Sequence, residues 1–270
     1  MMNEQRIQAE RLDQLVEAFM EDSGEYRDLR VPEDIVGKRR LLRSLMNIRM
    51  PGALPMDVLK AQDAYLKARA GEKGVVTLSE IPVISDRLSI WQGDITRLQV
   101  DAIVNAANSQ MLGCFVPMHT CIDNCIHTFA GVQLRQACAA QMTLLRQQYG
   151  EDYEQPTAVP MLTDAYNLPA QKVIHVVGPI VEGRLNAEHE QLLAACYQNV
   201  LDMCAENGLK SVAFCCVSTG VFHFPNRRAA EIAVDTVQRW LAAHPGAMER
   251  VIFNVFKDED RAIYERLLEK

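Results

Sequence analysis

The first 75 residues carry hydrophobic positions at helical spacing and almost none of the alternation that strands show. Residues 5–22 predict an amphipathic helix, and residues 31–49 and 55–70 predict two more, each bounded by proline or glycine. The apolar stripe of the first helix consists of Ile7, Leu12, Leu15, Val16 and Phe19. This pattern predicts a small all-helical N-terminal lobe over residues 1–75.

Short apolar runs that alternate with helical stretches begin near residue 76. The runs predict strands over 75–83, 88–92, 100–107, 173–180, 211–218 and 251–256. Helical periodicity predicts intervening helices over 123–142, 188–207, 226–244 and 259–270. Apolar strands that alternate with helices are typical of a sheet that helices cover on both faces. We therefore expect a second unit of α/β class over residues 76–270.

Composition and charge disfavour some classes of function. The chain has 270 residues, 49% of them hydrophobic, and a formal net charge of -7. A nucleic-acid binder normally carries a basic stripe, whereas the short basic patch Lys38–Arg40 fits the solvated face of a helix. No apolar run approaches the roughly 18 residues of a membrane span, and the polar start is unlike a signal peptide. We expect a cytoplasmic protein with neither nucleic acid nor membrane as a partner.

Most of the eight cysteines fit ordinary packing, because the chain is too long and too apolar for a disulfide scaffold. Five lie in helical or strand patterns, where free cysteine behaves as a small hydrophobe: Cys138, Cys196, Cys204, Cys215 and Cys216. His127 and His175 also occupy amphipathic or strand positions, so we expect hydrogen-bonded core histidines there. The remaining cysteines crowd into one segment.

That segment, GCFVPMHTCIDNCIH, concentrates side chains that ligate metals. The spacing Cys-x4-His-x-Cys brings together Cys114, His119 and Cys121, and two thiolates with one imidazole suit zinc. Three protein ligands are typical of a catalytic site with an open position, and four of a closed structural site. Cys125 is the candidate fourth ligand, but Asp123 is expected to cap the next helix and turn Cys125 to its buried face. We favour the open site; a reduced loop without metal is the remaining alternative.

Small and polar residues follow four of the predicted strands, where ligands bind in sheets of this type. They are Gly93 to Thr96, Asn105 to Ser109, Gly178-Pro179 and Ser218 to Pro225. The last segment leads into a helix, so its backbone N–H groups suit a phosphate or diphosphate. An ordinary connecting loop can have the same composition, so this feature alone decides little.

Taken in order, GDIT, VDAIVNAANS, CIDNCIHTFAG, YNLPAQKVIHVVGP and STGVFHFP resemble the macrodomain family over residues 80–265. The resemblance implies a three-layer α/β/α fold with a mixed, mostly parallel central sheet that binds ADP-ribose. Most macrodomains continue the Asn-Ala-Ala-Asn-Ser segment with a glycine-rich run, which a longer loop replaces here. That loop and the helical lobe look like the zinc-dependent branch of protein-ADP-ribose hydrolases. In that branch Cys114, His119 and Cys121 would hold one zinc ion beside the distal ribose.

The resemblance also implies binding roles for individual residues. Asp94 would accept a hydrogen bond from the adenine amino group, and Ile95 would line the same pocket through its backbone. Asn108 would hold the distal ribose. The start of the following helix would flank the diphosphate and the distal ribose, through Cys121, Ile122, Asp123 and Asn124.

A second phosphate loop is implied at Ser218, Thr219, Gly220, Val221 and Phe222. Phe222 would pack against the distal ribose. His223 departs from the small residue usual at its position, and Asn124 replaces a commoner glycine. The first departure leaves the loop geometry near His223 open, and the second has no clear functional meaning.

The implied activity is removal of mono-ADP-ribose from a modified protein, linked through the oxygen of an acidic or hydroxyl side chain. Asn108 and Asp123 are the expected catalytic residues, since Asn108 would hold the ribose and Asp123 would orient water or accept a proton. The branch is associated with sirtuin-class ADP-ribosyltransferases and, in some bacteria, a lipoyl-carrier protein, which makes such a system the implied partner. Two alternatives stay open: an ADP-ribose reader whose zinc braces the loop, and a deacetylase of O-acetyl-ADP-ribose.

Overall fold

A computed structural model describes residues 2–269, and three helices come first. They are α1 (Met2–Ser23), α2 (Ile35–Ile48) and α3 (Met56–Lys73). Asp34 caps α2, and its carboxylate accepts a hydrogen bond from the Gly37 N–H at 2.8 Å. The three helices share an apolar core that includes Leu12, Leu15, Phe19, Leu42, Leu45 and Tyr65. The predicted helical lobe is confirmed, and a domain boundary at residue 75 stays a prediction.

Strands and helices alternate in the rest of the described chain. The strands are β1 (Val76–Thr77), β2 (Leu88–Gln92), β3 (Leu98–Gln99), β4 (Ala102–Ala107), β5 (Met161–Asp164), β6 (Lys172–Val177), β7 (Ser211–Phe214) and β8 (Arg250–Val255). The helices are α4 (Ile122–Ala130), α5 (Val132–Tyr149), α6 (Ala187–Glu206), α7 (Asn226–Ala243) and α8 (Asp258–Leu268). None of the described helices is long and apolar enough to cross a membrane.

Six of these strands form one sheet in the order β2-β8-β7-β4-β6-β5. All neighbouring pairs are parallel except β5 with β6, which is antiparallel. The central strands are almost wholly buried, because helices cover both faces of the sheet. Four of the five cysteines expected to pack are buried, and Cys216 is half-buried. The mixed, mostly parallel sheet and the α/β class are both confirmed.

The strand predicted over residues 75–83 is wrong beyond its first residues. Only Val76 and Thr77 pair, with β3, and residues Leu78–Glu80 form a 3-10 turn. The reason is a capping box: the Glu80 carboxylate accepts from the Thr77 N–H at 2.7 Å. The short edge strand β5 was not predicted, because four residues carry little periodicity.

The helix predicted over residues 123–142 is broken in two at Gly131. Its φ of 96° lies in the left-handed region that favours glycine. A Cβ at this position would lie 2.7 Å from Gln62 Nε2 and 2.9 Å from Asn167 Nδ2. Gly131 therefore ends α4 and begins α5, an interruption that the periodicity of the sequence could not show.

Candidate functional site

Three of the four loops singled out in the sequence follow β4, β6 and β7, which lie side by side at the centre of the sheet. The loops after β6 and β7 touch: the Val181 N–H donates to the Phe222 carbonyl at 2.9 Å. Gly178 of the loop after β6 also packs against Ser218 of the loop after β7. A Cβ added at Gly178 would lie 2.1 Å from Ser218 Oγ. The carboxyl ends of these strands thus form one continuous edge, where ligands bind in sheets of this class.

Asp94 follows β2 and caps a short 3-10 turn. Its Oδ1 accepts from Thr96 N at 3.0 Å and from Thr96 Oγ1 at 2.5 Å, and Ile95 beside it is buried. Its Oδ2 lies 3.4 Å from Nζ of Lys73, the last residue of α3. That ammonium also lies 3.2 Å from the centroid of the Phe129 ring. Sequence analysis did not identify Lys73, because only the docking of the lobe brings it here.

The side chains of Asn108 and Asp123 lie next to each other, close to the segment that carries the predicted metal ligands. Asn108 Nδ2 donates to the Gly113 carbonyl at 3.3 Å and lies 3.4 Å from Asp123 Oδ2. The buried Asn105 donates through Nδ2 to Asp123 Oδ1 at 2.7 Å. Burial raises the pKa of Asp123 to about 6, against the opposing effects of Asn105 and the Arg135 guanidinium. The two predicted catalytic side chains therefore share one hydrogen-bonded cluster.

The expectation that Asp123 caps α4 is wrong. The N-cap is Cys121, whose Sγ accepts from Asn124 N at 3.4 Å. Asp123 lies in the first turn and is 5% exposed. The Asn105 and Asn108 side-chain amides both donate to its carboxylate. The carboxylate is therefore not available to cap the N–H groups at the start of α4.

The predicted metal ligands are gathered into a single group. One ligand atom from each of Cys114, His119 and Cys121 lies within 4.8 Å of the others, and all three residues are half-buried. Cys114 Sγ and His119 Nδ1 are 3.5 Å apart. Burial raises the pKa of the Cys121 thiol to about 12, so a nearby cation is needed to stabilise its thiolate at neutral pH. Two sulfurs and one imidazole nitrogen at this separation fit a zinc ion.

Cys125 takes a different position from the one expected. It is half-buried rather than fully buried, and its Sγ lies 3.6 Å from Arg43 Nη2. It is not part of the group formed by Cys114, His119 and Cys121. Among the described residues, the arrangement therefore offers three ligands at this site.

Residues 114–121, which contain the predicted metal ligands, are called the metal-ligating loop below. Asn124 is buried beneath this loop and ties it to α4. Its Nδ2 donates to the carbonyls of Cys114 at 3.2 Å and Val116 at 3.0 Å. Its Oδ1 accepts from Arg43 Nη2 at 2.9 Å. The side chain is thus committed to the loop, and the backbone is also engaged, because the Asn124 N–H donates to Cys121 Sγ and the Asn124 carbonyl accepts from Thr128 Oγ1.

The loop after β7 is held in a tight curl. Ser218 has a φ of 64°, and its carbonyl accepts from the Phe224 N–H at 3.0 Å. Its Oγ is buried and has no hydrogen-bond partner among the described residues. Val221 is exposed, whereas Phe222 is half-buried against the apolar cluster around Met111. The segment predicted to bind phosphate therefore lies open at its tip and anchored at both ends.

His127, Cys138 and His175 form a second group whose ligand atoms lie within 4.8 Å of one another, fully buried. His175 Nδ1 accepts from Asn105 Nδ2 at 3.1 Å, and Nε2 lies 2.9 Å from Thr163 Oγ1. Both nitrogens of His175 are thus engaged, as expected of a core histidine. His127 is buried as expected, but neither ring nitrogen has a hydrogen-bond partner among the described residues, and Nε2 lies 3.6 Å from Asp123 Oδ1. A metal here would have to displace the contacts of His175.

Phe256 is a further residue that sequence analysis did not identify. It directly follows β8, the neighbour of β2, and is 75% exposed. Its carbonyl accepts from Gln92 Nε2 at 3.3 Å, which places it beside the end of β2 that leads to Asp94. The sequence carries no signal for it, because the apolar run 251–256 predicts Phe256 as a strand residue and only the structure shows that its ring is exposed.

Comparison with known proteins agrees with this fold. The family model of the macro domain matches residues 104–233. The structure is similar to a Trypanosoma brucei macrodomain in complex with ADP-ribose, with a TM-score of 0.64 and 28% identity over 84% of this chain and 94% of that one. An Oceanobacillus iheyensis macrodomain with ADP gives a TM-score of 0.60 and 34% identity over 70% of this chain and 94% of that one. The chain belongs to the macrodomain family.

Its similarity to two curated relatives extends over nearly the whole chain, including the helical lobe. It is 47% identical over 265 residues to a protein-ADP-ribose hydrolase of Treponema medium, covering 97% of this chain and 99% of that protein. It is 40% identical over 262 residues to a protein-ADP-ribose hydrolase of Staphylococcus aureus, covering 96% of each.

Proposed function

We propose that this chain is a zinc-dependent hydrolase that removes mono-ADP-ribose from proteins modified through an oxygen atom. The macrodomain fold and the relatives named protein-ADP-ribose hydrolases support the hydrolysis of ADP-ribose adducts. The substrate would be a mono-ADP-ribosylated protein, and one product would be ADP-ribose.

The observation that carries the proposal is the contact between the metal-ligating loop and the Asn108–Asp123 pair. Asn108 donates to the carbonyl of Gly113, the residue directly before Cys114. Asp123 comes two residues after Cys121. A ribose held by Asn108 would therefore lie beside the metal ligands and beside a buried carboxylate. A protein that only reads ADP-ribose has no need of this combination.

The zinc ion would be held by Cys114, His119 and Cys121, whose sulfur and nitrogen atoms match its preferred ligands. When bound, it would supply Lewis acidity next to the distal ribose. Because Cys125 faces Arg43 instead of these ligands, a coordination position would stay open for substrate or water.

The remaining residues would bind and orient the substrate. Asp94 would accept from the adenine amino group, and the exposed Phe256 ring would cover the adenine face. The backbone N–H groups from Ser218 to Phe222 would hold the diphosphate. These contacts would fix the distal ribose with its anomeric carbon near Asn108 and Asp123.

For an adduct on an acidic or hydroxyl side chain, the bond from the anomeric carbon to the side-chain oxygen would break. Water would supply the new hydroxyl group on that carbon, and its second proton would go to the released side-chain oxygen. Asp123 would orient the water and accept its proton before the proton reaches the leaving group. Asn108 would hold the ribose throughout.

The test starts with one purified sample of the full chain. Zinc content would be measured, followed by release of ADP-ribose from proteins modified on glutamate, serine or arginine, before and after chelation. We expect one zinc ion per chain and turnover of the oxygen-linked substrates. We also expect chelation to abolish turnover while the circular dichroism stays unchanged.

Other outcomes would identify the alternatives. Tight binding of ADP-ribose with zinc present but without turnover would indicate a reader. Turnover of O-acetyl-ADP-ribose but not of modified proteins would indicate a deacetylase of the free metabolite. Absence of zinc from the purified chain would contradict the proposed metal site. The sirtuin-class transferase, the lipoyl-carrier protein and the cytoplasmic location stay predictions.

A further inference from the structure

Helix α2 of the N-terminal lobe runs along the metal-ligating loop, and Arg43 on this helix reaches into it. Arg43 Nη2 donates to the backbone carbonyl of His119 at 2.7 Å and to Asn124 Oδ1 at 2.9 Å. Asn124 in turn holds the carbonyl of Cys114. One guanidinium nitrogen therefore links two of the three metal-ligating residues, one directly and one through Asn124.

Asn47, one turn further along α2, holds the other side of His119. Its Oδ1 accepts from the Met118 N–H at 3.0 Å, and its Nδ2 donates to Thr128 Oγ1 at 2.8 Å. Asn47 is 1% exposed. Met118 has a φ of 59°, a left-handed conformation that is strained for methionine and needs support from its surroundings. The chain on both sides of His119 is thus held from α2, through the Met118 N–H and the His119 carbonyl.

The C-terminal end of α2 is itself held in place by α5. The buried Arg135 donates through Nη1 to the carbonyls of Met46 at 3.2 Å and Asn47 at 2.9 Å. Its guanidinium also lies 4.2 Å from the centroid of the Phe115 ring, within the metal-ligating loop. A cation at the last carbonyls of a helix is favourable both for hydrogen bonding and for the helix dipole. The lobe is therefore fastened to the sheet unit at this loop.

We infer that α2 positions the metal-ligating loop, with Arg43 and Asn47 as positioning residues for His119. The inference rests on the proposed function, because it takes the loop to be a zinc site. Between β4 and α4 the loop has no regular secondary structure, so holding its three ligands together costs conformational entropy. Contacts from α2 that order the backbone before the metal arrives would lower this cost. The lobe is then part of the site rather than an accessory.

The test compares Arg43→Met with Arg40→Met in the full-length zinc-loaded protein. Arg40 is exposed one turn earlier on α2, so its substitution removes the same charge without touching the loop. Zinc affinity and the rate of zinc release would be followed with a chromophoric chelator. Cobalt substitution would report the thiolate ligands through their absorption bands, and calorimetry would give the affinity for ADP-ribose.

We expect Arg43→Met to weaken zinc binding roughly 10–100-fold and to alter the cobalt spectrum, as loss of an outer hydrogen bond does at other metal sites. Arg40→Met should match the wild type. ADP-ribose affinity and the unfolding temperature of the metal-free protein should stay close to the wild type in both variants. Arg43→Lys, which keeps the charge and a donor, should recover part of the zinc affinity.

Unchanged zinc affinity, release rate and cobalt spectrum in Arg43→Met would overturn the inference. If Arg43→Met does not fold, the decision passes to Asn47→Ala, which removes the other contact from α2 and whose wild-type zinc affinity, release rate and cobalt spectrum would likewise overturn it. A wild-type chain that binds no zinc would contradict the proposed function itself. Measuring the wild type first therefore separates failure of the site from failure of its positioning by α2.

Discussion

Lys73 Nζ lies 3.4 Å from Asp94 Oδ2, so the last residue of α3 in the helical lobe contacts the carboxylate predicted to bind adenine. The ammonium group also packs on the Phe129 ring. Burial lowers the pKa of Lys73, and the Asp94 carboxylate opposes that shift. The other carboxylate oxygen is held by Thr96. Residues of the helical lobe and of the α/β unit therefore both contribute to the predicted adenine end of the site.

Asp94→Ala should weaken ADP-ribose binding by about 1–3 kcal/mol, the usual cost of losing a hydrogen bond to a charged group. The loss follows because the adenine amino group would have no acceptor. Titration calorimetry with ADP-ribose measures it. Asp164→Ala is the control, because that exposed carboxylate ends β5 at the opposite edge of the sheet. Equal affinities for wild type and Asp94→Ala would rule out the adenine contact.

Cys114→Ala and His119→Ala should reduce turnover at least about 100-fold, since a catalytic metal contributes several kcal/mol to transition-state stabilisation. Both variants should remain folded, because the three ligands are half-buried and contribute little to the core. Cys125→Ala is the matched control and should keep its zinc and most of its activity. Zinc content, ADP-ribose release and circular dichroism are the readouts.

The opposite pattern would change the assignment. Loss of zinc in Cys125→Ala would indicate a four-ligand structural site. Global unfolding of Cys114→Ala and His119→Ala would point the same way, because a structural zinc contributes directly to folding.

Gly113→Ala should lower the free energy of unfolding by more than the cost of placing alanine at a positive φ. Gly113 has a φ of 80°, and a Cβ there would lie 2.7 Å from Cγ of the buried His127 ring. Gly150 has a φ of 114° with nothing within 4 Å, so Gly150→Ala isolates the backbone cost. We expect Gly113→Ala to lower the unfolding free energy by about 1–3 kcal/mol more than Gly150→Ala, from overpacking. Urea unfolding of both variants measures this difference, and equal losses would contradict the close packing of His127.

His175 should make the protein less stable in mild acid. Burial lowers the pKa of His175 to about 3, whereas a histidine in an unfolded chain titrates near about 6.5. Below about pH 6.5 the unfolded chain binds a proton that the folded chain does not, so stability falls as the pH falls towards 3. Between about pH 7.5 and about pH 5.5 this one group accounts for about 1.4 kcal/mol.

The comparison of wild type with His175→Gln isolates this proton. Asp123 and His127 are present in both proteins, so their titration largely cancels. Urea unfolding at the two pH values should show a smaller loss of stability in the variant, by about 1.4 kcal/mol. An equal loss in both proteins would mean that His175 has the same pKa in the folded chain as in the unfolded chain.

Much of the fold could be predicted because strand and helix periodicity is a local property. The strands β2, β4, β6, β7 and β8 begin within two residues of their predicted ranges, and the helices of the lobe overlap theirs. The errors are also local: the capping box at Thr77 and Glu80 replaced a strand with a turn, and Gly131 divided one helix in two. In both cases a specific backbone conformation outweighed the apolar pattern.

The metal-ligating residues could be predicted for a similar reason. Cys114, His119 and Cys121 lie within one short segment, so their spacing already limits how far apart they can be. Two thiols and one imidazole favour zinc as the proposed metal without knowledge of the fold. The sequence by itself thus determined the α/β class, the helical lobe and the grouping of these three candidate ligands.

Only the tertiary structure decided how the lobe and the site are joined. Arg43 is separated from His119 by 76 residues and Lys73 from Asp94 by 21, and no periodicity relates them. Asp123 shows the same limit, since its burial beside Asn105 and Asn108 overrode its tendency to cap a helix. Contacts between distant segments depend on the packing of whole helices against the sheet. Local patterns in the chain carry no information about that packing.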